Sequence, residues 1–321
     1  MFTVQILGNS SATPAFARFP SSQVVNFNDR YFLIDCGEGA QMQLQRYRIK
    51  YSRIDAIFIS HLHGDHILGV PGLLASLSIF ERTHPLPIFA PAGLLNIIET
   101  IFSHSETYLK YELEFYPLED YEPGEVIFQT DRMAVRRIPL FHRSFCSGFL
   151  FKEKYKRRKF DFYKAKDLGI PKEYFHLIKQ EVDIKLADGR MIRADDVLLP
   201  REKALSYAYC SDTRYEEAIL PHIEKVGLLY HEATFLDELR GRATDTHHST
   251  ALQAAQIAAK AEVEQLAIGH FSARYRDLGP LLDEARRGFP NTELALEGRV
   301  FDLRRNTMWG GRGGPENKSD N

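Results

Sequence analysis

The sequence predicts an α/β fold in which helices cover packed β-sheets. Short runs rich in β-branched and aromatic residues open the chain, and strand-like and helix-like segments then alternate along it. The chain has 321 residues, of which 44% are hydrophobic, so it can form one large core or about two domains. No segment repeats at a fixed short period.

The predicted elements follow from the spacing of the apolar residues. Short β-favouring runs predict strands at 3–7, 23–28, 31–34, 54–59, 87–90, 133–138, 206–210, 227–230 and 265–268. Helical periodicity predicts helices at 69–81, 94–102, 250–261 and 278–287. The glycine-rich, polar segment 306–321 is expected to form a flexible C-terminal tail.

Composition is typical of a cytoplasmic enzyme without a membrane partner. The net charge of −2 gives no general sign of nucleic-acid binding. No apolar run reaches the roughly 20 residues that cross a bilayer, and residues 1–7 resemble a first strand more than a secretory signal. The three cysteines are odd in number and widely spaced, which argues against a disulfide framework and for a reducing compartment.

The segment S-H-L-H-G-D-H at 60–66 directly follows the apolar run 54–59. Imidazole and carboxylate groups together suit zinc or a neighbouring first-row metal. Four such ligands cannot all bind one tetrahedral ion and leave room for water, so the spacing suggests two ions. His61 and His63 can face one ion, and Asp65 and His66 the other. The alternative is a polar loop with incidental histidines.

Three later residues occupy similar positions. His142, Asp212 and His270 each follow an apolar run, at the point where a strand passes into a loop. Loops on a rigid scaffold are the usual place for functional residues. Each position alone is more often an ordinary loop residue, but together with 60–66 they indicate one metal site.

A basic segment with interleaved aromatic residues lies at 152–166. Its cations are Lys152, Lys154, Lys156, Arg157, Arg158, Lys159, Lys164 and Lys166. Such a segment can bind a phosphate backbone, because each neutralised phosphate releases counterions. Charge runs are also common on solvated surfaces, and composition alone does not decide between the two.

With Asp35 in the segment I-D-C-G-E-G at 34–39, these residues resemble the metallo-β-lactamase superfamily. Four more segments are similar to the ribonuclease Z family, endonucleases that mature transfer-RNA 3′ ends. They are L-G-N-S-S-A-T-P at 7–14, H-E-A-T at 231–234, H-S-T at 248–250 and G-H-F-S-A-R-Y at 269–275. The resemblance extends from residue 1 to about residue 303.

The resemblance implies an αββα sandwich over 1–305, with two metal ions at one edge of the paired sheets. It also implies an inserted flexible exosite arm at 152–181 that binds transfer RNA, and a homodimer. The RNA-binding candidates in the arm are Lys156, Arg157, Arg158 and Lys159. Arg274 is a weaker candidate, either a phosphate contact or a member of a surface ion pair.

By the family pattern, His61, His63 and His142 hold one ion, Asp65, His66 and His270 hold the other, and Asp212 bridges them. We expect two Zn²⁺ per chain, with Mn²⁺ or another divalent metal as alternatives. Two ions about 3.5–4 Å apart suit phosphodiester hydrolysis, since they activate a shared water and stabilise both reacting oxygens. Asp65 is also the candidate to orient that water or accept its proton.

A leaving 3′ oxygen needs a proton or charge stabilisation, and a histidine held by a carboxylate supplies either. The resemblance assigns this role to His248 paired with Glu232. Alternatively, Glu232 is an ordinary buried carboxylate after a strand. His248 is then a polar residue at the start of a helix, which Thr250 can cap. His247 is interpreted as structural, and Asp35 as a residue that orients metal ligands by hydrogen bonding.

The expected function is a zinc-dependent endoribonuclease that removes 3′ extensions from transfer-RNA precursors and leaves a 3′-hydroxyl. One competing hypothesis is another hydrolase of the same fold, acting on a small phosphodiester or thioester without need of a basic arm. A second is a non-catalytic RNA-binding member of the fold. The complete set of ligand-type residues argues against this last class.

Overall fold

The computed structural model describes residues 1–154 and 158–306, and within them the chain forms two compact units. The first unit comprises Met1–Gln129, Ala134–Phe151 and the chain from Leu205 onward. The second comprises Thr130–Met133 and Lys152–Ala204. Lys156, Arg157 and residues 307–321 of the predicted tail lie outside the described residues.

The strands of the described residues are, in chain order, β1 (Phe2–Gly8), β2 (Ser22–Phe27), β3 (Arg30–Cys36), β4 (Ile54–Phe58), β5 (Leu86–Ala90), β6 (Leu113–Pro117), β7 (Val126–Gln129), β8 (Met133–Leu140), β9 (Cys146–Glu153), β10 (Ile184–Lys185), β11 (Met191–Ile192), β12 (Ser206–Cys210), β13 (Leu228–Glu232), β14 (Leu266–Gly269), β15 (Thr292–Leu294) and β16 (Val300–Asp302). Each strand predicted from the sequence is present, with its ends shifted by no more than two residues.

The α-helices of the same residues are α1 (Ala40–Arg46), α2 (Gly64–Ile67), α3 (Val70–Ile79), α4 (Gly93–His104), α5 (Phe162–Asp167), α6 (Phe175–Lys179), α7 (Leu220–Ile223), α8 (Arg240–Asp245), α9 (Ala251–Lys260), α10 (Gly279–Gly288) and α11 (Leu303–Asn306). The four predicted helices correspond to α3, α4, α9 and α10. None of the helices within residues 1–154 and 158–306 is long and apolar enough to span a bilayer.

Two sheets of seven strands each form the first unit, counted over the described residues. One has the order β16-β1-β2-β3-β4-β5-β6, antiparallel from β16 to β3 and parallel from β3 to β6. The other has the order β15-β14-β13-β12-β9-β8-β7, with β12 to β15 parallel. Parallel neighbours need crossover connections, which α1, α3 and α4 supply in the first sheet and α7, α9 and α10 in the second.

Aromatic side chains fill the space between the two sheets. The ring of Phe58 in β4 lies 5.4 Å from Phe149 and 5.3 Å from Phe151, both in β9 of the other sheet. The residues between these aromatic positions face the helices instead, because successive side chains of a strand point to opposite faces of the sheet. Thus Ile57 packs with the helical residue Leu73 in a second core cluster.

The outer face of the second sheet is covered in the same way. Leu229 in β13 belongs to a cluster with Ile257 in α9 and Leu281 in α10. Helices therefore cover the outer faces of two facing sheets, which confirms the predicted αββα sandwich.

The second unit has a small core of its own. Its buried residues are Ala165, Ile170, Ile178, Ile184, Leu186, Ile192, Ala194, Val197 and Leu198. The hairpin of β10 and β11 and the helices α5 and α6 supply several of them. Asp161 caps α5, since its Oδ1 atom accepts from the backbone N–H groups of Tyr163 and Lys164 at 3.0 Å. The predicted insert at 152–181 lies in this unit together with 182–204.

Candidate metal centre and active site

The candidate ligands all lie at or just beyond strand ends. His61 and His63 follow β4, and Asp65 and His66 lie in the short helix α2. His142 follows β8, Asp212 follows β12 and His270 follows β14. The structure brings all seven of these residues together, in two groups whose ligand atoms lie within 4.8 Å of one another.

The first group consists of His61, His63, His142 and Asp212. The Nε2 atom of His61 lies 3.0 Å from Nδ1 of His63 and 3.5 Å from Oδ2 of Asp212. Three imidazoles and one carboxylate oxygen therefore surround a common point, a donor set that suits zinc.

The second group consists of Asp65, His66 and His270. The Nε2 atoms of both histidines lie 3.4 Å from Oδ2 of Asp65. They also lie 3.4 Å and 3.1 Å, respectively, from Oδ1 of Asp212. Asp212 thus presents one oxygen to each group, which is the geometry of a bridging carboxylate.

Three buried nitrogen atoms in this cluster make no hydrogen bond within the described residues. They are the Nε2 atoms of His66, His142 and His270. A buried polar atom without a partner is costly, and its presence in a native fold calls for an explanation such as a bound ion. The residues therefore fit a divalent metal centre.

The pKa shifts of His142, Asp212 and Asp65 favour their metal-binding forms. Burial lowers the pKa of His142 to about 4, so its imidazole is neutral, the form that binds metal. Burial raises the pKa of Asp212, but the imidazoles of His270 and His66 outweigh this effect and hold it well below its ordinary value. Burial likewise opposes ionisation of Asp65, whose pKa His66 and His270 lower. Burial lowers the pKa of His66, but Asp65 and Asp212 outweigh this effect and raise it well above the ordinary value, so a bound ion would have to displace a proton there.

Three of the candidate histidines are oriented by a contact of their Nδ1 atom. The Nδ1 atom of His61 lies 3.0 Å from the Ser60 hydroxyl oxygen. Nδ1 of His142 donates to the His247 carbonyl oxygen at 3.0 Å, and Nδ1 of His270 lies 3.0 Å from Oγ1 of Thr234. Partners of this kind fix the tautomer and ring orientation of metal-binding histidines.

Asp35 orients His66. Its fully buried carboxylate accepts from Nδ1 of His66 at 2.8 Å and from the hydroxyl of Tyr209 at 2.6 Å. It also accepts from the backbone N–H and the hydroxyl of Ser60, at 2.7 Å and 2.9 Å. These contacts support the predicted orienting role.

Glu232 and His248 form a pair beside the second group. Nδ1 of His248 lies 2.8 Å from Oε1 of the buried Glu232 carboxylate, which also accepts from the Thr213 backbone N–H at 3.0 Å. Burial lowers the pKa of His248, but Glu232 outweighs this effect and raises it to about 9. Thr250, and not His248, caps α9, since its hydroxyl accepts from the backbone N–H of Gln253.

Several residues that hydrogen-bond to the candidate site residues were not predicted from the sequence. Thr234 donates its hydroxyl to Oε2 of Glu232 at 2.6 Å and also contacts His270. Tyr209 contacts Asp35 and, at 3.3 Å, the hydroxyl of Ser211. Thr234 lies in the H-E-A-T segment, which is a usable signal, whereas Tyr209 resembles an ordinary core aromatic of a strand.

Of the described RNA-binding candidates, Arg158 and Lys159 lie far from the ligands in sequence, whereas Arg274 lies four residues after His270. Arg158 already contacts the carboxylate of Asp195, and its Nε atom donates to the Leu199 carbonyl at 3.0 Å. Nζ of Lys159 lies 2.5 Å from Oε1 of Glu202, and its side chain is 69% exposed. Arg274 is exposed. The other two candidates are among the residues that the structure does not describe.

Facing sheets, outer helices and a His/Asp cluster at the strand ends define a metallo-β-lactamase fold with a candidate metal centre. A metallo-β-lactamase fold protein from Bacillus subtilis has a similar structure, with a TM-score of 0.67 at 19% identity, covering 94% of this chain and 98% of the other. A family model described as anti-Pycsar protein Apyc1 matches residues 2–155.

Closer relatives narrow the class. Ribonuclease Z of Bacteroides thetaiotaomicron is 45% identical over 307 residues, 94% of this chain and 95% of the relative. Ribonuclease Z of Cytophaga hutchinsonii is 45% identical over 305 residues, 94% and 96% of the two chains. The short form of human tRNase Z has a TM-score of 0.67 at 26% identity, covering 94% of this chain and 99% of that one. The chain belongs to the ribonuclease Z family.

Proposed function

We propose that this protein is an endoribonuclease that removes 3′ extensions from transfer-RNA precursors by metal-dependent phosphodiester hydrolysis. The observation that carries the proposal is the cluster in which Asp212 faces two ligand groups, with the Glu232–His248 pair beside it. Family membership indicates that the substrate is transfer RNA, since the curated relatives are named ribonuclease Z and the human structure is a tRNase Z.

The ligand set fits two Zn²⁺ per chain, and Mn²⁺ accepts the same nitrogen and oxygen donors. His61, His63 and His142 would hold one ion, Asp65, His66 and His270 would hold the other, and Asp212 would contribute one oxygen to each. When bound, two such ions would lower the pKa of a shared water and stabilise the attacking and leaving oxygens of an in-line displacement.

Asp65 orients the attacking water through its carboxylate. Its Oδ2 atom accepts from the backbone N–H of Ala12 at 2.7 Å, which fixes the side chain beside His66 and His270. Because its pKa lies below the ordinary value despite burial, the carboxylate is ionised and accepts a hydrogen bond from water.

His248 supplies the proton that the leaving 3′ oxygen needs. Its pKa, raised to about 9, keeps the imidazole protonated near neutral pH, and Glu232 holds the ring through Nδ1. Cleavage of the bond between phosphorus and this 3′ oxygen leaves a 3′-hydroxyl on the transfer RNA and the phosphate on the released fragment.

The second unit provides the surface for the folded RNA, through the arm at 152–181 and its candidates Lys156, Arg157 and Lys159. These residues supply no metal ligand, so their contribution is affinity for the phosphate backbone. Arg158 is already engaged by Asp195, and its main contribution is to the unit itself.

We further infer that the protein is a cytoplasmic homodimer. All three cysteines are free and buried, as expected in a reducing compartment. Met42, Leu68 and Phe80 of the first unit are 65%, 64% and 59% exposed, and we propose that a second copy covers them.

The test is to incubate the purified protein with a 3′-extended transfer-RNA precursor and to identify both product ends. We expect a transfer RNA ending in a 3′-hydroxyl and a trailer that carries a 5′-phosphate, and no product from a His63→Ala variant. Hydrolysis of a small phosphodiester without any cleavage of the precursor would instead identify the competing small-substrate hydrolase.

A further inference from the structure

A groove with three arginines opens beside the candidate ligand His142, within the first unit. Its volume is about 410 Å³, and its lining includes Arg137, Arg143, Arg214 and His247 as well as His142. We call it the arginine groove. None of its lining residues, over the part of the chain that the structure describes, is acidic.

The groove is built from the same two loops that carry metal ligands. Arg143 is the residue after His142, and Arg214 lies two residues after Asp212. The loops are joined through their backbones, since the N–H of Arg214 donates to the Phe141 carbonyl oxygen at 3.0 Å. The backbones that carry the two arginines are therefore held in a fixed relation to the ligands His142 and Asp212.

Two of the guanidinium groups are accessible to a ligand. Arg143 is exposed, and the side chain of Arg214 is 46% exposed, with its NH2 atom 3.3 Å from Oε2 of Glu216. An exposed ion pair of this kind is weak, so an incoming phosphate can replace the carboxylate.

Arg137 also lines the groove and is partly buried. Its NH1 atom donates to the Tyr121 carbonyl oxygen at 3.1 Å, and its guanidinium lies 5.0 Å from the centre of the Phe145 ring. Its buried Nε atom has no hydrogen-bond partner in the described residues. Arg137 thus adds a positive charge that is held in place by its neighbours.

A groove of this composition fits a phosphodiester anion, because one guanidinium group can donate two parallel hydrogen bonds to the oxygens of a phosphate. A small phosphodiester has a single phosphate, and this phosphate must lie at the metal ligands to be hydrolysed. A second phosphate in the groove must therefore belong to a neighbouring nucleotide of the same strand.

We propose that the arginine groove binds a backbone phosphate of the RNA next to the scissile phosphodiester. This contact makes the site selective for polynucleotides over small phosphodiesters. The inference rests on the proposed function, and it adds Arg143 and Arg214 as substrate-binding residues.

The test uses an Arg143→Gln/Arg214→Gln double variant and a matched control. The control is Arg30→Gln/Arg53→Gln, which removes the same charge near the amino-terminal ends of β3 and β4, whereas the ligand cluster follows the carboxyl end of β4. As in the groove, one of the two control arginines has a carboxylate partner, Asp55, at 2.6 Å. Steady-state cleavage of precursor RNA is measured at several salt concentrations, with bis(p-nitrophenyl) phosphate as the small substrate.

For the groove variant we expect the ratio of kcat/KM for precursor to kcat/KM for the small diester to fall at least about tenfold. The slope of log(kcat/KM) for the precursor against log salt should become shallower by about 0.7 to 0.9 for the lost phosphate contact. An Arg143→Lys/Arg214→Lys variant should retain most of the salt slope, because the charges remain.

Equal behaviour of the groove variant and the control would overturn the inference. Loss of bound metal from the groove variant would also overturn it, since the arginines would then be structural supports of the ligand loops. If the wild-type protein does not cleave the precursor at all, the proposed function fails, which is a different outcome.

Discussion

His66 keeps only its Nε2 atom for a metal, because its Nδ1 atom is bound to the carboxylate of Asp35. Asp35 itself has a φ of 52°, in the left-handed region that residues other than glycine seldom adopt. Four hydrogen bonds to its carboxylate hold the residue in this conformation. Strained backbone of this kind persists where the surroundings determine it, and it is often found at functional sites.

The Glu232–His248 pair gives the first prediction. Glu232→Gln and His248→Ala should each lower kcat for precursor cleavage by roughly 10²- to 10⁴-fold, because both changes remove one proton-transfer unit. The double variant should be little slower than either single variant, as for residues that act together. Steady-state kinetics measure the effect, and elemental analysis should find unchanged metal content. Additive losses, or metal loss in a single variant, would return the pair to a structural role.

The same pair predicts the alkaline limit of activity. Glu232 outweighs the effect of burial and raises the pKa of His248 to about 9, and the protonated imidazole is the active form. Activity should therefore persist below this pKa and fall as the pH rises through it. Bound cations lower the pKa, so the fall is expected at or below about pH 9. A profile of log kcat/KM against pH measures it, and persistence of the same limb in the His248→Ala variant would contradict the assignment.

Single residues of the site differed in how far the sequence could predict them. The seven candidate ligands have metal-binding side chains after apolar runs, so chemistry and position both indicated them. Tyr209 and Ser60 act through hydrogen bonds to Asp35 that only the packed structure brings together. His247 contributes its backbone carbonyl to His142, and a side-chain pattern carries no signal for that.

At the scale of elements, the strand ends determine where the chemistry lies. Long periodic elements such as α9 and α10 could be predicted because their apolar residues recur with the helical period. The four-residue helix α2 is too short to show a period, although it carries Asp65 and His66. Strand β9 was missed as well, because its buried residues run without alternation into the basic segment.

The basic arm at 152–181 is predicted to contribute RNA affinity and not chemistry. A Lys156→Gln/Arg157→Gln/Lys159→Gln variant should raise KM for precursor RNA and make its salt dependence shallower. Each lost phosphate contact removes up to about one unit of slope. Arg158 is left intact because it contacts Asp195. Turnover of a small phosphodiester should stay near wild type, since the arm supplies none of the candidate ligands.

The matched control for the arm removes three charges elsewhere in the second unit. Lys185, Arg190 and Arg193 are exposed and lie outside 152–181, so their glutamine variants should leave KM close to the wild-type value. Arg190 and Arg193 have exposed carboxylate partners, Asp188 and Asp196, as Lys159 has Glu202, so the control also covers the loss of such pairs. Unchanged RNA binding by the arm variant at several salt concentrations would show that the basic segment is a solvated surface.

For the whole molecule, the alternation of strands and helices predicted helices that cover packed sheets, because such elements have few ways to bury their apolar faces. The αββα order itself was implied by the family resemblance. The extent of the second unit could not be predicted in the same way. Ile184, Ile192 and Val197 belong to its small core, but β10 and β11 have two residues each and show no usable period. The net charge of −2 likewise concealed the local positive charge of the basic segment and the arginine groove.

The central claim is a two-metal hydrolytic centre, and metal titration of the metal-free protein tests it most directly. The protein is stripped with a chelator, Zn²⁺ is added in measured equivalents, and cleavage of a 3′-extended transfer-RNA precursor is recorded. We predict that activity returns to a plateau at about two ions per chain, as required for catalysis by a shared pair of ions. A His63→Ala variant should remain folded by circular dichroism and inactive throughout. Full activity with no metal, or with one ion per chain, would contradict the account.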